Sequence, residues 1–300
     1  MLKISVLDMM KRLFYSSLLL LSLSLSTWAQ SGYTQQLWTS SQDTTAILRP
    51  EHLEMTQEEI DRQLDLEDNF GMYRDNYFIT GLPVDRPITS KTADAKSQLS
   101  IRYRMLKGSL PFHSYLMLTY TQKTLWDIYR KSAPFGDSGY NPGLMLVSPV
   151  ISKGRLRGGL ALTLEHESNG RDGEASRSWN FLGLTGVYFY NRYFSVQGKV
   201  WLGLVSKKSN PDLLDYRGYG FAALNYRSYD GRFGASLMLT PTKMGVNTRT
   251  ELSARFTRRA NYHFFVQWEQ GYAESLLDYK EYNSMVRIGI ALKPALRTIY

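Results

Sequence analysis

The sequence predicts an all-β fold, a transmembrane antiparallel β-barrel of about 12 strands. Three observations predict it. Many short runs alternate in polarity with the two-residue period of a strand. Turn-forming groups such as Asp230-Gly231 and Ser209-Asn210-Pro211-Asp212 separate these runs. Beyond the N-terminal leader no segment approaches the ~20 apolar residues of a spanning helix, whereas alternating runs of about ten residues suffice for a membrane barrel.

Three regions follow along the chain. Residues 1–29 read as an export signal: Lys11 and Arg12 precede the apolar stretch Leu13 to Leu25, and Thr27-Trp28-Ala29 resembles a small-x-small cleavage site. The basic pair lies far into the chain, which places a natural start at Met9 or Met10. Residues 30–75 are polar and acidic, with Glu51, Glu54, Glu58, Glu59 and Asp61 close together, and read as a periplasmic extension or a plug-like arm. Residues 76–300 carry the barrel. Its strand candidates are Asn76–Leu82, Ser97–Met105, Phe112–Lys123, Gly143–Ser152, Leu156–Ser168, Trp179–Tyr190, Phe194–Leu204, Gly218–Ser228, Arg232–Thr240, Arg249–Thr257, Tyr262–Tyr272 and Ser284–Leu292. An even count puts both termini at one end. The chain closes on an aromatic residue, Tyr300.

The alternation assigns the faces. Leu160, Leu162, Leu164, His166 and Ser168 share one face of their run, and Ala161, Thr163, Glu165 and Glu167 the other. Charge is costly against lipid, so the leucine face meets the bilayer and the glutamates face the lumen. In Phe112–Lys123 the outward row is Ser114, Leu116, Leu118, Tyr120 and Gln122. A glutamine there is either a subunit contact or a hydrated residue at headgroup level.

The outward rows also carry chemistry. His166 and Ser168 lie at i and i+2, and Asn180 reaches them from the next run. Together they can supply a base, a nucleophile and a group that orients the imidazole. Asparagine is neutral and stabilises an imidazolium less than aspartate does, so a cation near the oxyanion is a natural supplement. The loop from Arg171 to Ser178 offers carbonyls, hydroxyls, Asp172 and Glu174, hard oxygen ligands suited to Ca²⁺. Gly170 can bring its N–H close to an oxyanion. A site on these rows would meet lipid esters rather than soluble solutes.

Composition excludes other classes. There is no cysteine, hence no disulfide or thiolate metal site. The charge is +9, but Lys and Arg are spread over turns and strand ends without a basic helix. That favours anionic headgroups over nucleic acid. His52, His113 and His263 have no matching serine, and neither a phosphate loop nor clustered zinc ligands occur.

His166-x-Ser168-Asn169-Gly170-Arg171, followed by Ser176-Arg177-Ser178-Trp179-Asn180, resembles the core motif of the outer-membrane phospholipase A family. Tyr120-Thr121-Gln122-Lys123, Ser132-Ala133-Pro134-Phe135, Tyr140-Asn141-Pro142 and Gly271 to Tyr279 resemble its other blocks, in order, over Asn76 to the C-terminus. The resemblance implies a calcium-dependent hydrolase of phospholipid and lysophospholipid acyl esters, active as a homodimer in the outer membrane. It implies Ser168 as nucleophile, His166 as base, Asn180 as orienter and Gly170 as oxyanion donor. Calcium would be held by the Arg171 carbonyl and Ser176, with Ser132 supplied by the partner subunit, and Gln122 would lie at the interface. The chain departs from the family at Phe181, where arginine is usual, and at Gly173 and Ser209, where an additional calcium site has acidic residues. It is also about two residues shorter between Gln122 and Ser132. The residues by themselves leave open a passive barrel, as a narrow pore or structural protein, and an enzyme that deacylates lipid A.

Overall fold

The computed structural model describes Glu58, Arg62, residues 68–257 and residues 261–293. The export signal, most of the N-terminal segment and Tyr300 lie outside the described residues. The chain forms β1 (Phe70–Met72), β2 (Asn76–Pro83), β3 (Asp94–Leu110), β4 (Ser114–Trp126), β5 (Phe135–Ser152), β6 (Arg155–Ser168) and β7 (Ser178–Phe189). These are followed by β8 (Phe194–Val205), a short helix α1 (Leu213–Arg217), β9 (Gly220–Arg227), β10 (Phe233–Thr242), β11 (Gly245–Arg255), β12 (Tyr262–Gly271) and β13 (Asn283–Leu292). Every neighbouring pair is antiparallel. Because β2 pairs with both β3 and β13, strands β2 to β13 close into a twelve-stranded barrel. Closure leaves no bare sheet edge within a bilayer, where an unpaired backbone group costs several kcal/mol.

The thirteenth strand, β1, prolongs the line of β2 along β3, with Phe70 opposite Tyr103 and Met72 opposite Ile101. Between them Tyr73, Arg74 and Asp75 bulge out of the ladder. The Ser100 carbonyl accepts from the Tyr73 N–H, and the Ser100 hydroxyl accepts from the Arg74 N–H at 3.1 Å. Arg74 is thereby aimed into the lumen. Residues 70–72, read from sequence as part of the N-terminal segment, thus pair with the barrel wall, and Tyr73 and Arg74 hydrogen-bond to it.

Strand positions follow the predicted alternation; β3 runs three residues earlier and five later than expected, β11 begins four residues early, and two further stretches differ. β5 begins at Phe135, eight residues before the expected start, because Gly136, Gly139 and Pro142 mask its alternation. Phe112, expected in a strand, lies in a single 3₁₀ turn between β3 and β4 with φ 61°. A short helix also follows the predicted Ser209–Asp212 turn. The turns joining β3 to β4 and β5 to β6 are short, while the longer loops 84–93, 127–134, 169–177, 206–219 and 272–282 share the opposite rim. In outer-membrane barrels that rim faces the outside.

The two faces of the wall differ as the alternation requires. Leu162, Leu164, Leu182 and Leu184 are exposed on the outer face, and Thr163, Glu165 and Glu167 are buried inside. The lumen is lined by charged side chains that neutralise one another, around a cavity of about 170 Å³. Arg287 donates from Nε and Nη2 to the two oxygens of Asp94, both at 2.7 Å, and from Nη1 to Glu274 at 2.6 Å. Lys96 reaches Glu269, Glu274 (3.1 Å) and Gln267 (3.0 Å). Arg249 adds a bond to Glu269 at 2.8 Å. One wall of the lumen is apolar instead, where Tyr73, Tyr115, Met117, Met145 and Ala161 pack together.

Arg287 is fully buried, so removing it leaves the Asp94 carboxylate without its cation and Glu274 with Lys96 alone. Arg287→Met is expected to lower the urea-unfolding stability of the refolded barrel by about 3–5 kcal/mol.

Candidate active site

His166 on β6 and Asn180 on β7 are directly opposed across an antiparallel pair. His166 Nδ1 and Asn180 Oδ1 are 2.9 Å apart. An amide oxygen only accepts, so Nδ1 carries the proton and Nε2 is left as the free basic nitrogen. Ser168 lies two residues on from His166 on the same outward face, opposite Ser178 and beside Tyr140 of β5. Among the described residues His166–Asn180 is the bonded pair, and Ser168 stands next to it without a hydrogen bond to the imidazole. The three side chains continue the leucine rows up to the rim.

β6 carries opposite chemistry on its two faces. Inside, Glu165 bonds Lys199 Nζ at 2.7 Å and Arg74 Nη2 at 3.3 Å. Glu167 accepts from Arg217 at 2.7 Å and from the Trp179 indole at 3.0 Å. Trp179 stacks on Phe181 with ring centroids 4.1 Å apart, and Lys199 and Arg217 cap the two rings. Phe181, where the resemblance implies arginine, thus forms part of an aromatic stack in the lumen.

One irregularity supports His166 from behind. The β5–β6 ladder is broken between Tyr140 and Gly143, where Pro142 has no N–H to give. The Asn141 side chain bridges the gap, donating from Nδ2 to the His166 carbonyl at 2.9 Å.

The loop after Ser168 is folded around Asn169, which is 4% exposed. Its Nδ2 donates to the Ala175 carbonyl at 2.9 Å, and its Oδ1 accepts from the N–H of Arg177 at 2.9 Å and of Arg171 at 3.4 Å. Across the rim, fully buried Asn210 extends β7 as a missing strand would. It donates to the Ser178 carbonyl at 3.0 Å and accepts from the Ser178 N–H at 3.2 Å. Gly170 has φ 66°, and a Cβ there would come within 2.8 Å of the Tyr140 ring, so only glycine fits.

The remaining predicted residues are placed as follows. Arg171 and Ser176 lie at the two ends of this loop. The contacts that brace it use the Asn169 amide and the Gly173, Glu174, Ala175, Ser176 and Arg177 carbonyls; among the described residues none uses the Arg171 carbonyl or the Ser176 hydroxyl. Among the described residues no three His, Cys, Asp or Glu converge on a metal site. A cation at this loop would therefore be held by carbonyl, hydroxyl and water oxygens, a hard donor set that suits Ca²⁺. Ser132, with φ 67°, is exposed on the loop between β4 and β5 at the same rim. Gln122 is half-buried on the outer face of β4, where its Oε1 accepts from the Tyr120 hydroxyl at 3.1 Å. Sequence reasoning missed the roles of Asn141, Asn169 and Asn210. The available signal was an asparagine at each irregular point, since its amide can replace a missing backbone partner.

A family model described as Phospholipase A1 matches residues 56–292. A putative phospholipase A1 from Neisseria meningitidis serogroup B is 32% identical over 67% of this chain, which spans 54% of that relative's length. A phospholipase A1 from Klebsiella pneumoniae is 30% identical over 66% of this chain and 70% of its own. Among solved structures, outer membrane phospholipase A from Escherichia coli superposes with a TM-score of 0.66 at 26% identity, covering 75% of this chain and 98% of its own. The Salmonella typhi outer membrane phospholipase dimer with bound calcium gives 0.67 at 26% identity, over 76% and 93%.

Asn169→Ala would leave loop amides without partners, worth about 1–3 kcal/mol. Amide exchange at Arg177 is expected to accelerate about tenfold or more in a mass-spectrometric hydrogen-exchange measurement, with the strands unaffected.

Proposed function

The chain belongs to the phospholipase A1 family, and on that premise we propose that it is a calcium-dependent serine hydrolase of phospholipid and lysophospholipid acyl esters, active as a homodimer. The observation that carries the proposal is the His166–Asn180 hydrogen bond on the outer face of the barrel, with Ser168 next in the same row. A hydrolase with these residues facing lipid reaches ester groups at the bilayer edge.

The chemistry follows from the donors and acceptors. Ser168 Oγ attacks the acyl carbonyl while His166 Nε2 takes its proton. The Ser168–His166 contact tightens as substrate aligns, as such contacts do between free enzyme and Michaelis complex. Asn180 holds the tautomer and accepts from Nδ1–H throughout. The Gly170 N–H donates to the oxyanion. On collapse the ester C–O bond breaks, and His166 returns the proton to the leaving alkoxide, releasing a lysophospholipid. Water, deprotonated by His166, then attacks the acyl-Ser168 ester, releasing the fatty acid and restoring the hydroxyl.

Arg171 and Ser176 would present calcium ligands beside Ser168, and Ser132 of a second copy would complete the set. Bound calcium would supply positive charge near the oxyanion, making up for an Asn180 that stabilises the imidazolium less than a carboxylate would. Gln122 would join the two copies: its Oε1 is engaged by Tyr120 within the chain, and an acceptor on a second copy would pair its NH₂ on the outer face.

The test is fatty-acid release from phospholipid micelles by refolded protein. Release is expected with calcium and not with chelator, and Ser168→Ala should lower it by about 10³-fold or more. Phospholipid left intact by folded protein at every calcium concentration, or lipid A cleaved in its place, would refute the proposal. In parallel, Gln122→Ala is expected to weaken calcium-dependent cross-linking of two copies. Unchanged cross-linking would remove Gln122 from the interface.

A further inference from the structure

The block Gly271–Tyr279 has no part in the chemistry above, yet the loop 272–282, which holds all of it after Gly271, turns inward over the mouth of the barrel. Glu274 reaches down to Lys96 and Arg287. Leu276 is buried against Trp179, Phe181 and Leu213, and the Tyr279 hydroxyl bonds Asp212. The Tyr279 carbonyl accepts from the Ala273 N–H at 3.1 Å, closing the turn. This fold aims the Leu277 N–H at the wall, where it donates to Asp137 Oδ2 at 3.0 Å.

Asp137, near the start of β5, is 4% exposed. Its Oδ1 receives no hydrogen bond among the described residues, and the cation it faces is Arg171, with Nε 3.7 Å away. The Arg171 guanidinium also donates from Nη2 to the Gly136 carbonyl at 2.6 Å. The Arg171 side chain is therefore tied to two successive residues of β5, one of them fixed by the inward loop.

We propose that Asp137 is a positioning residue for the calcium loop: anchored by the loop 272–282, it holds the Arg171 side chain and so fixes where the Arg171 carbonyl points. The inference rests on the calcium reading given above. Carbonyl and hydroxyl ligands carry no net charge, so affinity at such a site depends on how much of the loop is ordered before the cation arrives. An ion pair that pins the side chain of a ligating residue reduces that ordering cost, as outer-shell contacts do at metal sites.

The experiment is calorimetric titration of calcium alone into refolded full-length protein in micelles, without substrate. Asp137→Asn keeps the acceptor for Leu277 N–H and removes the charge that Arg171 faces. It is expected to raise the calcium Kd about tenfold, the lower end of outer-shell effects, while kcat at saturating calcium and the heat-shifted electrophoretic mobility stay as in the parent. Asp137→Glu, which keeps the charge that Arg171 faces, is expected to bind calcium more tightly than Asp137→Asn. Arg171→Gln, which removes the pinned side chain and keeps the carbonyl, is expected to show the same loss. Parental calcium affinity in Asp137→Asn or in Arg171→Gln overturns the assignment. A parent protein that takes up no calcium overturns the calcium reading itself, and the role of Asp137 with it.

Discussion

Along β6 a carboxylate and a polar outward side chain alternate, residue by residue, in a wall one strand thick. Glu165 and Glu167 point inward and His166 and Ser168 outward, so the geometry at the rim depends on how the inward charges are held. A buried carboxylate persists only when paired and hydrogen-bonded. Lys199, Arg74, Arg217 and the Trp179 indole meet that requirement. Each partner comes from a different part of the barrel, so β6 is fixed in register from the inside. A one-residue slip would exchange the two faces, putting glutamates in lipid and the histidine in the lumen.

Support for the outward side chains is assembled from asparagines and one aromatic stack. Asn141 takes up the carbonyl that Pro142 cannot serve, Asn169 folds the loop, and Asn210 completes the edge of β7. Each amide offers a donor and an acceptor on one short arm, which is what a backbone gap lacks. Phe181 and Trp179 occupy the inner side of β7 behind Asn180. Their stacked rings join the cations that neutralise Glu165 and Glu167, so the aromatic pair takes part in the ionic network.

The barrel was largely legible in the residues. Two-residue alternation places a leucine row and a glutamate row unambiguously on Leu156–Ser168, and the positions of His166, Ser168 and Asn180 follow from it. The first half of β5 was not legible, because glycines at 136 and 139 carry no side chain to show a face and Pro142 reads as a break. The inward course of the loop after β12 was hidden for another reason. Its anchors, Lys96 and Arg287, are 178 and 13 residues from Glu274, and nothing local in Glu274 indicates such partners. The bulge at Tyr73–Asp75 escaped likewise, since it depends on the Ser100 side chain of another strand.

If the proposed chemistry takes place at Ser168, the outward row has a consequence for how encounters with substrate are counted. A side chain at the perimeter of the barrel samples molecules that diffuse in a sheet, so the relevant concentration is a surface density. Diluting the same ester with inert amphiphile at constant bulk amount would slow turnover. Adding more aggregates of unchanged composition would leave the rate per bound enzyme untouched.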